Sequence, residues 1–188
     1  LIPYSMHSVG RAGHDLMVSA IAIGFKKIFI LVNPKNIKEF DFLPKQIELA
    51  NALLSGIAKN ENNSIIMIEE NDPEKIDEII YEKNGYTKIK SSSFIAVGVA
   101  RGILRTGIQG LSKSNKNKQE IIPLPNNSPY GIVNVNMESC TICLSCVSAC
   151  PAGALQDNPE SPQLLFREDA CLQCGICVAT CPEKAISL

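Results

Sequence analysis

All eight cysteines of this 188-residue chain fall between positions 140 and 181. They form two matching runs. The first is Cys140-Thr-Ile-Cys143-Leu-Ser-Cys146-Val-Ser-Ala-Cys150-Pro151 and the second is Cys171-Leu-Gln-Cys174-Gly-Ile-Cys177-Val-Ala-Thr-Cys181-Pro182. Each reads C-x2-C-x2-C-x3-C-P. Thiolates are soft ligands, and three of them at x2 spacing wrap a loop around one face of a compact, delocalised site. The loop offers its N–H groups to the sulfurs, but the fourth thiolate cannot come from the same tight turn. Pro151 and Pro182 fix the chain direction just after the last cysteine and bring no competing N–H. Zinc also uses C-x2-C pairs, yet a third cysteine at x2 and a C-P ending, both occurring twice, are rare in zinc modules. A scattered disulfide framework is hard to reconcile with the absence of cysteine before residue 140. The C-x3-C-x2-C pattern of radical enzymes that use S-adenosylmethionine is absent. A cluster that has lost one iron, [3Fe–4S], stays open.

Laying Cys140 on Cys171 also pairs Val147 with Val178, Pro151 with Pro182 and Ala154 with Ala185. The two halves read as copies of one unit, which predicts an α+β domain with a pseudo-twofold repeat. Asn158-Pro159-Glu160-Ser161-Pro162 reads as a turn, with Leu164-Leu165-Phe166 returning against Ala154-Leu155-Gln156 as a hairpin. Ile132-Val133-Asn134-Val135 reads as a short opening strand. A domain of this size buries too little core to stand alone, so metal ligation must supply much of its stability.

With the paired C-x2-C-x2-C-x3-C-P motifs in view, residues 131–188 resemble a bacterial-type two-[4Fe–4S] ferredoxin. The resemblance implies a one-electron carrier with two low-potential [4Fe–4S] clusters. It implies that the fourth ligand of each cluster comes from the other motif. Cluster I then takes Cys140, Cys143, Cys146 and Cys181, and cluster II takes Cys171, Cys174, Cys177 and Cys150. In the family the position after the second cysteine is commonly small. Here it is Gly175 in the second motif but Leu144 in the first, which suggests a shielded cluster I and unequal potentials. The 20 residues between Cys150 and Cys171 form a slightly long connection.

The preceding residues read as a different kind of structure. Asp15 is placed to cap a helix to about Phe25, and Gly24 sits where that helix should stop. Lys27-Ile28-Phe29-Ile30-Leu31-Val32 reads as a strand covered on both faces. Asp41, with Pro44 in the first turn, opens a helix to about Asn60 whose apolar stripe is Leu43, Ile47, Ala50, Leu54 and Ile57. Ser64-Ile65-Ile66-Met67-Ile68 is a second strand. Asp72-Pro73-Glu74 starts a further helix that turns Ile76, Ile79 and Ile80 inward and has Gly85 beyond its end. Ser91-Ser92-Ser93 precedes a last helix from Phe94 to about Ser112, with Val97, Leu104, Ile108 and Leu111 on one side. Leu1–Met6 resembles the end of a further strand. Strands alternating with helices predict βαβ units and a small parallel sheet of three or four strands. Residues 1–111 are therefore expected to be a small α/β domain. The polar, Pro-rich stretch 112–130 is expected to be a linker, and 131–188 the cysteine domain.

Other candidates in the first domain carry weaker signals. Gly10-Arg11-Ala12-Gly13-His14 at a helix start suits a phosphate or flavin, but a lone G-x2-G suits a structural turn better. His14 is a weak candidate for proton transfer or metal binding, and His7 is weaker still. Ser91–Ser93 fits helix capping better than anion binding. Arg101 and Arg105 lie one turn apart, as part of a docking face or as solvated arginines.

The net charge of −1 hides an asymmetry. Residues 1–130 hold 16 Lys/Arg against 13 Asp/Glu, whereas residues 131–188 hold 2 against 6. Bound clusters would make the second part more negative still. An acidic module favours basic protein partners and argues against nucleic acid. No apolar run approaches the roughly 18–20 residues of a membrane span. The chain opens at Leu1 rather than Met, compatible with a fragment or processed form that has a targeting segment or further clusters upstream. The expected protein is a cytoplasmic electron carrier for a partner oxidoreductase, similar in arrangement to bacterial polyferredoxins. The alternative is a subunit of a multi-cluster oxidoreductase of the hydrogenase or formate dehydrogenase type, whose α/β domain binds a cofactor. The oligomeric state is not written in the sequence.

Overall fold

A computed structural model describes residues 1–35, 40–58, 64–82, 89–115, 119 and 121–188. The chain divides into two units, Leu1–Pro125 and Asn126–Leu188. The first contains helix α1 (His14–Ile23), strand β1 (Ile28–Leu31), helix α2 (Leu43–Ala58), strand β2 (Ile65–Ile68), and helices α3 (Pro73–Tyr81) and α4 (Ala100–Ser114). β1 and β2 pair in parallel, with Ile28 opposite Ile65 and Leu31 opposite Ile68. A parallel pair needs a long crossover, which α2 supplies.

Burial follows the helical periodicity. Leu43, Leu54 and Ile57 of α2 are fully buried, as are Met17, Val18 and Ile21 of α1 and Leu104 and Leu111 of α4. α1 packs against α2 and α4. Asn51 anchors this layer to the sheet. Its side-chain N–H donates to the Ile65 carbonyl at 3.0 Å, and its oxygen accepts from the Ser64 and Ile65 backbone at 3.1 and 3.2 Å. The start of β2 is thereby satisfied by a side chain rather than by a third strand. Asn115 plays a similar part past the end of α4, exchanging hydrogen bonds with Lys90 at 3.2 and 3.1 Å.

Several expectations need correcting. Among the described residues the parallel sheet has two strands, not three or four. Leu1–Met6 is not a strand, and Leu1, Ile2 and Tyr4 are exposed. β1 is covered on one face only: Ile30 is buried while Leu31 is 49% exposed, and the Lys27 ammonium stands over the Phe29 ring. α1 is capped by the Gly13 backbone with no side-chain cap, so Asp15 lies inside the first turn, where its charge suits the helix dipole. In α3 the Asp72 carboxylate does accept from the Glu74 N–H at 3.1 Å, with Pro73 at the first position. None of its residues is fully buried, and Ile79 is exposed. The last helix starts at Ala100, not Phe94. Gly98 takes φ 107°, and the β-branched run Ile95, Val97, Val99 stays outside the helix, leaving Val97 76% exposed. The expected helix end at Asn60 and the expected stop at Gly85 lie outside the described residues.

The stretch expected as a linker, 112–130, is distributed differently. α4 runs on to Ser114, and the Gln119 N–H donates to the Gly56 carbonyl at 2.8 Å. Ile122 lies against Gly56, where a methyl group would meet it at 2.6 Å. Pro-rich, polar composition reads as a linker, yet a few apolar residues suffice to lay the chain back on α2.

The second unit contains strand β3 (Asn134–Val135), helix α5 (Ser145–Ala149), strands β4 (Leu155–Asp157) and β5 (Leu164–Phe166), helix α6 (Ile176–Thr180) and strand β6 (Ile186–Ser187). β3 pairs antiparallel with β6, and β4 with β5. Two sets of pairings recur at an interval of 31 residues. Val135 faces Ile186, as Phe166 faces Leu155. The Asn136 N–H donates to the Ala185 carbonyl at 2.8 Å, as the Arg167 N–H donates to that of Ala154 at 2.7 Å. The Asn158–Ser161 turn is tied by the Asn158 side chain to the Ser161 hydroxyl at 2.9 Å.

Candidate cluster-binding site

Each cysteine run builds a loop followed by a five-residue helix. Ile142 and Leu144 in the first loop, and Gln173 and Gly175 in the second, take left-handed backbone conformations with φ between 53° and 74°. These turns are tight enough that residues with a Cβ accept a conformation glycine favours. Leu144 and Gly175 are the N-caps of α5 and α6. Without a side-chain cap on either helix, the turn itself sets where the helix begins.

The eight sulfurs fall into two groups, each around a cavity. One cavity, of about 330 Å³ including its open mouth, is lined by Cys140, Cys143, Cys146 and Cys181. The other, of about 380 Å³, is lined by Cys171, Cys174, Cys177 and Cys150. Three cysteines of each group come from one run and the fourth from the other. None of the eight is in a disulfide. Among the described residues no three Cys, His, Asp or Glu side chains converge as they would on a single metal ion.

Backbone N–H groups point at several of the sulfurs. Ala154 donates to Cys150 Sγ at 3.2 Å, and Ala185, thirty-one residues on, donates to Cys181 Sγ at 3.3 Å. Gln173 donates to Cys171 Sγ at 3.4 Å. Burial works against the Cys150 thiolate, but N–H groups of Leu155, Ala154, Ala152 and Gly153 outweigh it and lower the pKa. The Ser145 hydroxyl and backbone likewise lower that of Cys143. Cys146 and Cys177, the second residues of α5 and α6, are pushed up by burial. Bound metal would offset that cost directly, because ligation stabilises the thiolate.

Each group has one exposed cysteine and one buried cysteine. Cys143 and Cys174 are exposed, whereas Cys146 and Cys171 are buried. Cys146, Leu155 and Ile186 form the small buried cluster between the halves, with Val135 and Phe166 packed against it. Leu144 lines the first cavity and Gly175 the second.

Residues 139–186 match a 4Fe-4S dicluster domain. This segment is an iron–sulfur, metal-binding module of electron transport, occupying about a quarter of the chain. No curated protein matches the chain. Among the described residues no helix is long and apolar enough to cross a membrane.

Outside that module His14, Arg101 and Arg105 have structural partners. His14 opens α1, and its backbone N–H donates to Gln46 Oε1 at 3.1 Å while ring Nδ1 lies 2.5 Å from the same oxygen. A carbonyl oxygen only accepts, so Nδ1 carries the proton and the imidazole fixes the start of α1 to α2. Arg101 and Arg105 are half-buried and both engaged. Val9–Arg11 forms a single 3-10 turn. All of these residues belong to the first unit, and the eight cysteines belong to the second. The side-chain donors Ser145 and Gln173 carry no signal in the motif, because the x positions have no pattern by themselves.

Proposed function

We propose that the protein carries two [4Fe–4S] clusters and passes single electrons to or from a partner oxidoreductase. The observation that carries this reading is the division of eight thiols between two cavities, with donors of both runs on each. Cluster I would be held by Cys140, Cys143, Cys146 and Cys181, and cluster II by Cys171, Cys174, Cys177 and Cys150. Each cluster supplies reversible one-electron chemistry with charge spread over iron and sulfide. The chain holds the sulfurs, aims N–H groups at them and limits water access. Cys150 and Cys181 tie the halves together, so the ferredoxin-like unit would be a pseudo-twofold pair of interlocked copies. Exposed Cys143 and Cys174 mark the edges where a partner would approach. The acidic balance of residues 131–188 favours a basic surface on that partner. Residues 1–125 would act as an α/β docking or scaffolding unit, in a cytoplasmic, polyferredoxin-like protein.

The test is an electron titration of the anaerobically purified protein. The reading expects two one-electron steps per chain and reduction of an added acceptor protein without turnover of any substrate. A flavin released by acid, or turnover without a partner enzyme, would instead support a cofactor-binding subunit of a larger oxidoreductase.

A further inference from the structure

The two cavities have different side-chain donors. In the second, Gln173 Nε2 lies 3.4 Å from Cys171 Sγ, in addition to the Gln173 backbone N–H at the same distance. A thiolate accepts only, so the amide nitrogen, not the oxygen, must face it. At the corresponding place in the first cavity stands Ile142, which has no donor. The first cavity has instead the Ser145 hydroxyl, 3.4 Å from the exposed Cys143 Sγ, where the second has Ile176.

The Gln173 amide is also held from behind. Gly131 does not adopt a positive φ, so its backbone would accept alanine. A methyl group there would nevertheless lie 3.0 Å from Gln173 Cδ and 3.1 Å from both Nε2 and Oε1. The bare backbone of Gly131 is what lets the amide lie flat against it and reach a buried sulfur. Gly131 precedes β3 and lies outside both cysteine runs in sequence, so no ligand motif includes it.

We infer that Gln173, seated on Gly131, raises the reduction potential of the cluster held by Cys171, Cys174, Cys177 and Cys150. This rests on the function proposed above. Reduction adds negative charge to the sulfurs, and a donor aimed at one of them stabilises the reduced state more than the oxidised state. Gln173 is a positioning and tuning residue, not a ligand. Its effect falls on one of the two clusters because its counterpart at 142 is aliphatic.

The experiment is Gln173→Met in the 188-residue chain, a change that keeps side-chain length and flexibility and removes the donor. Iron and sulfide content are measured first. The potential of each step is then followed by the paramagnetically shifted β-protons of the cysteines, with those of Cys171 reporting the second cluster. The expected result is full cluster content and a roughly fivefold fall in the equilibrium constant for reduction at the second site. At 59 mV per decade that is about 40 mV more negative, with the first site unchanged. Gly131→Ala, which leaves the amide present but displaced, shifts the same step in the same direction by less. In the double variant, Gly131→Ala adds nothing to Gln173→Met. Full clusters with an unmoved second potential in Gln173→Met would overturn the inference while leaving the carrier function intact. If Gln173→Met loses clusters, Gly131→Ala decides by the same criterion. Wild-type protein without iron and sulfide would instead overturn the function itself.

Discussion

The two units are held together by different means. Every one of the largest fully buried side chains, from Met17 to Leu111, belongs to residues 1–125. The second unit buries only small or modest groups: Cys146, Ala154, Leu155, Cys171, Ala185 and Ile186. At roughly 25 cal/mol per Å² of apolar surface, the first set supplies a core and the second does not. Two-residue strands such as β3 and β6 cannot hold a fold by themselves. Under the proposed function the second unit would replace oily burial with ligands, so its stability and its redox chemistry would rest on the same eight sulfurs. The first unit is free of that link.

Removing the metal should break this comparison most sharply. Chelation under anaerobic conditions is expected to unfold residues 126–188 while residues 1–125 keep their structure. Amide exchange resolved by segment reads it: protection lost equally in both units would mean that burial and ligation are not partitioned this way. Next in size is Cys181→Ala, which should abolish the cluster served by Cys140, Cys143 and Cys146 and leave its neighbour by sequence largely intact. Spectroscopy showing damage confined to the second cluster would contradict the crossed ligand sets.

Within the first unit the expected effects are those of ordinary packing. Leu54→Ala, deep in α2, should cost about 2–5 kcal/mol of that unit's stability and leave iron content unchanged. Denaturant unfolding with parallel metal analysis measures both. Asp72→Ala removes the side-chain cap of α3 and should cost about 1 kcal/mol. The smallest change is expected from Leu144→Gly. Relief of a left-handed leucine, worth roughly 1–2 kcal/mol, is set against lost apolar cover. Stability should barely move, but the first cluster should become more open to water and its potential should rise toward that of the second. An unchanged potential would show that Leu144 does not shield the site.

What is legible in the sequence follows from range. Cysteine spacing is a local property, so it places both loops by itself, and the 31-residue repeat with them; the five-residue helices α5 and α6 carry no such signal. The crossing of Cys150 and Cys181 comes from resemblance, since spacing alone leaves the partner of each fourth cysteine open. α2 and the Asp72 cap are readable because periodicity and capping act within a turn or two. Asn51, Asn115 and Gln46 are not. Each is a polar residue whose partner lies 13 to 32 positions away, and composition says nothing about such pairs. The helix expected from Phe94 fails because apolar spacing runs on through Gly98, which the backbone uses as a break. Gly131 and Gln173 are silent for the same reason as Asn51: their meaning lies in a contact across 42 residues of chain.

The most direct measurement is the iron, zinc and acid-labile sulfide content of protein purified without oxygen. Two four-iron clusters in the two thiol-lined cavities predict about eight iron and about eight sulfide per chain, with no stoichiometric zinc. Zinc without sulfide, or a single four-iron complement that survives loss of either cysteine run, would contradict the account.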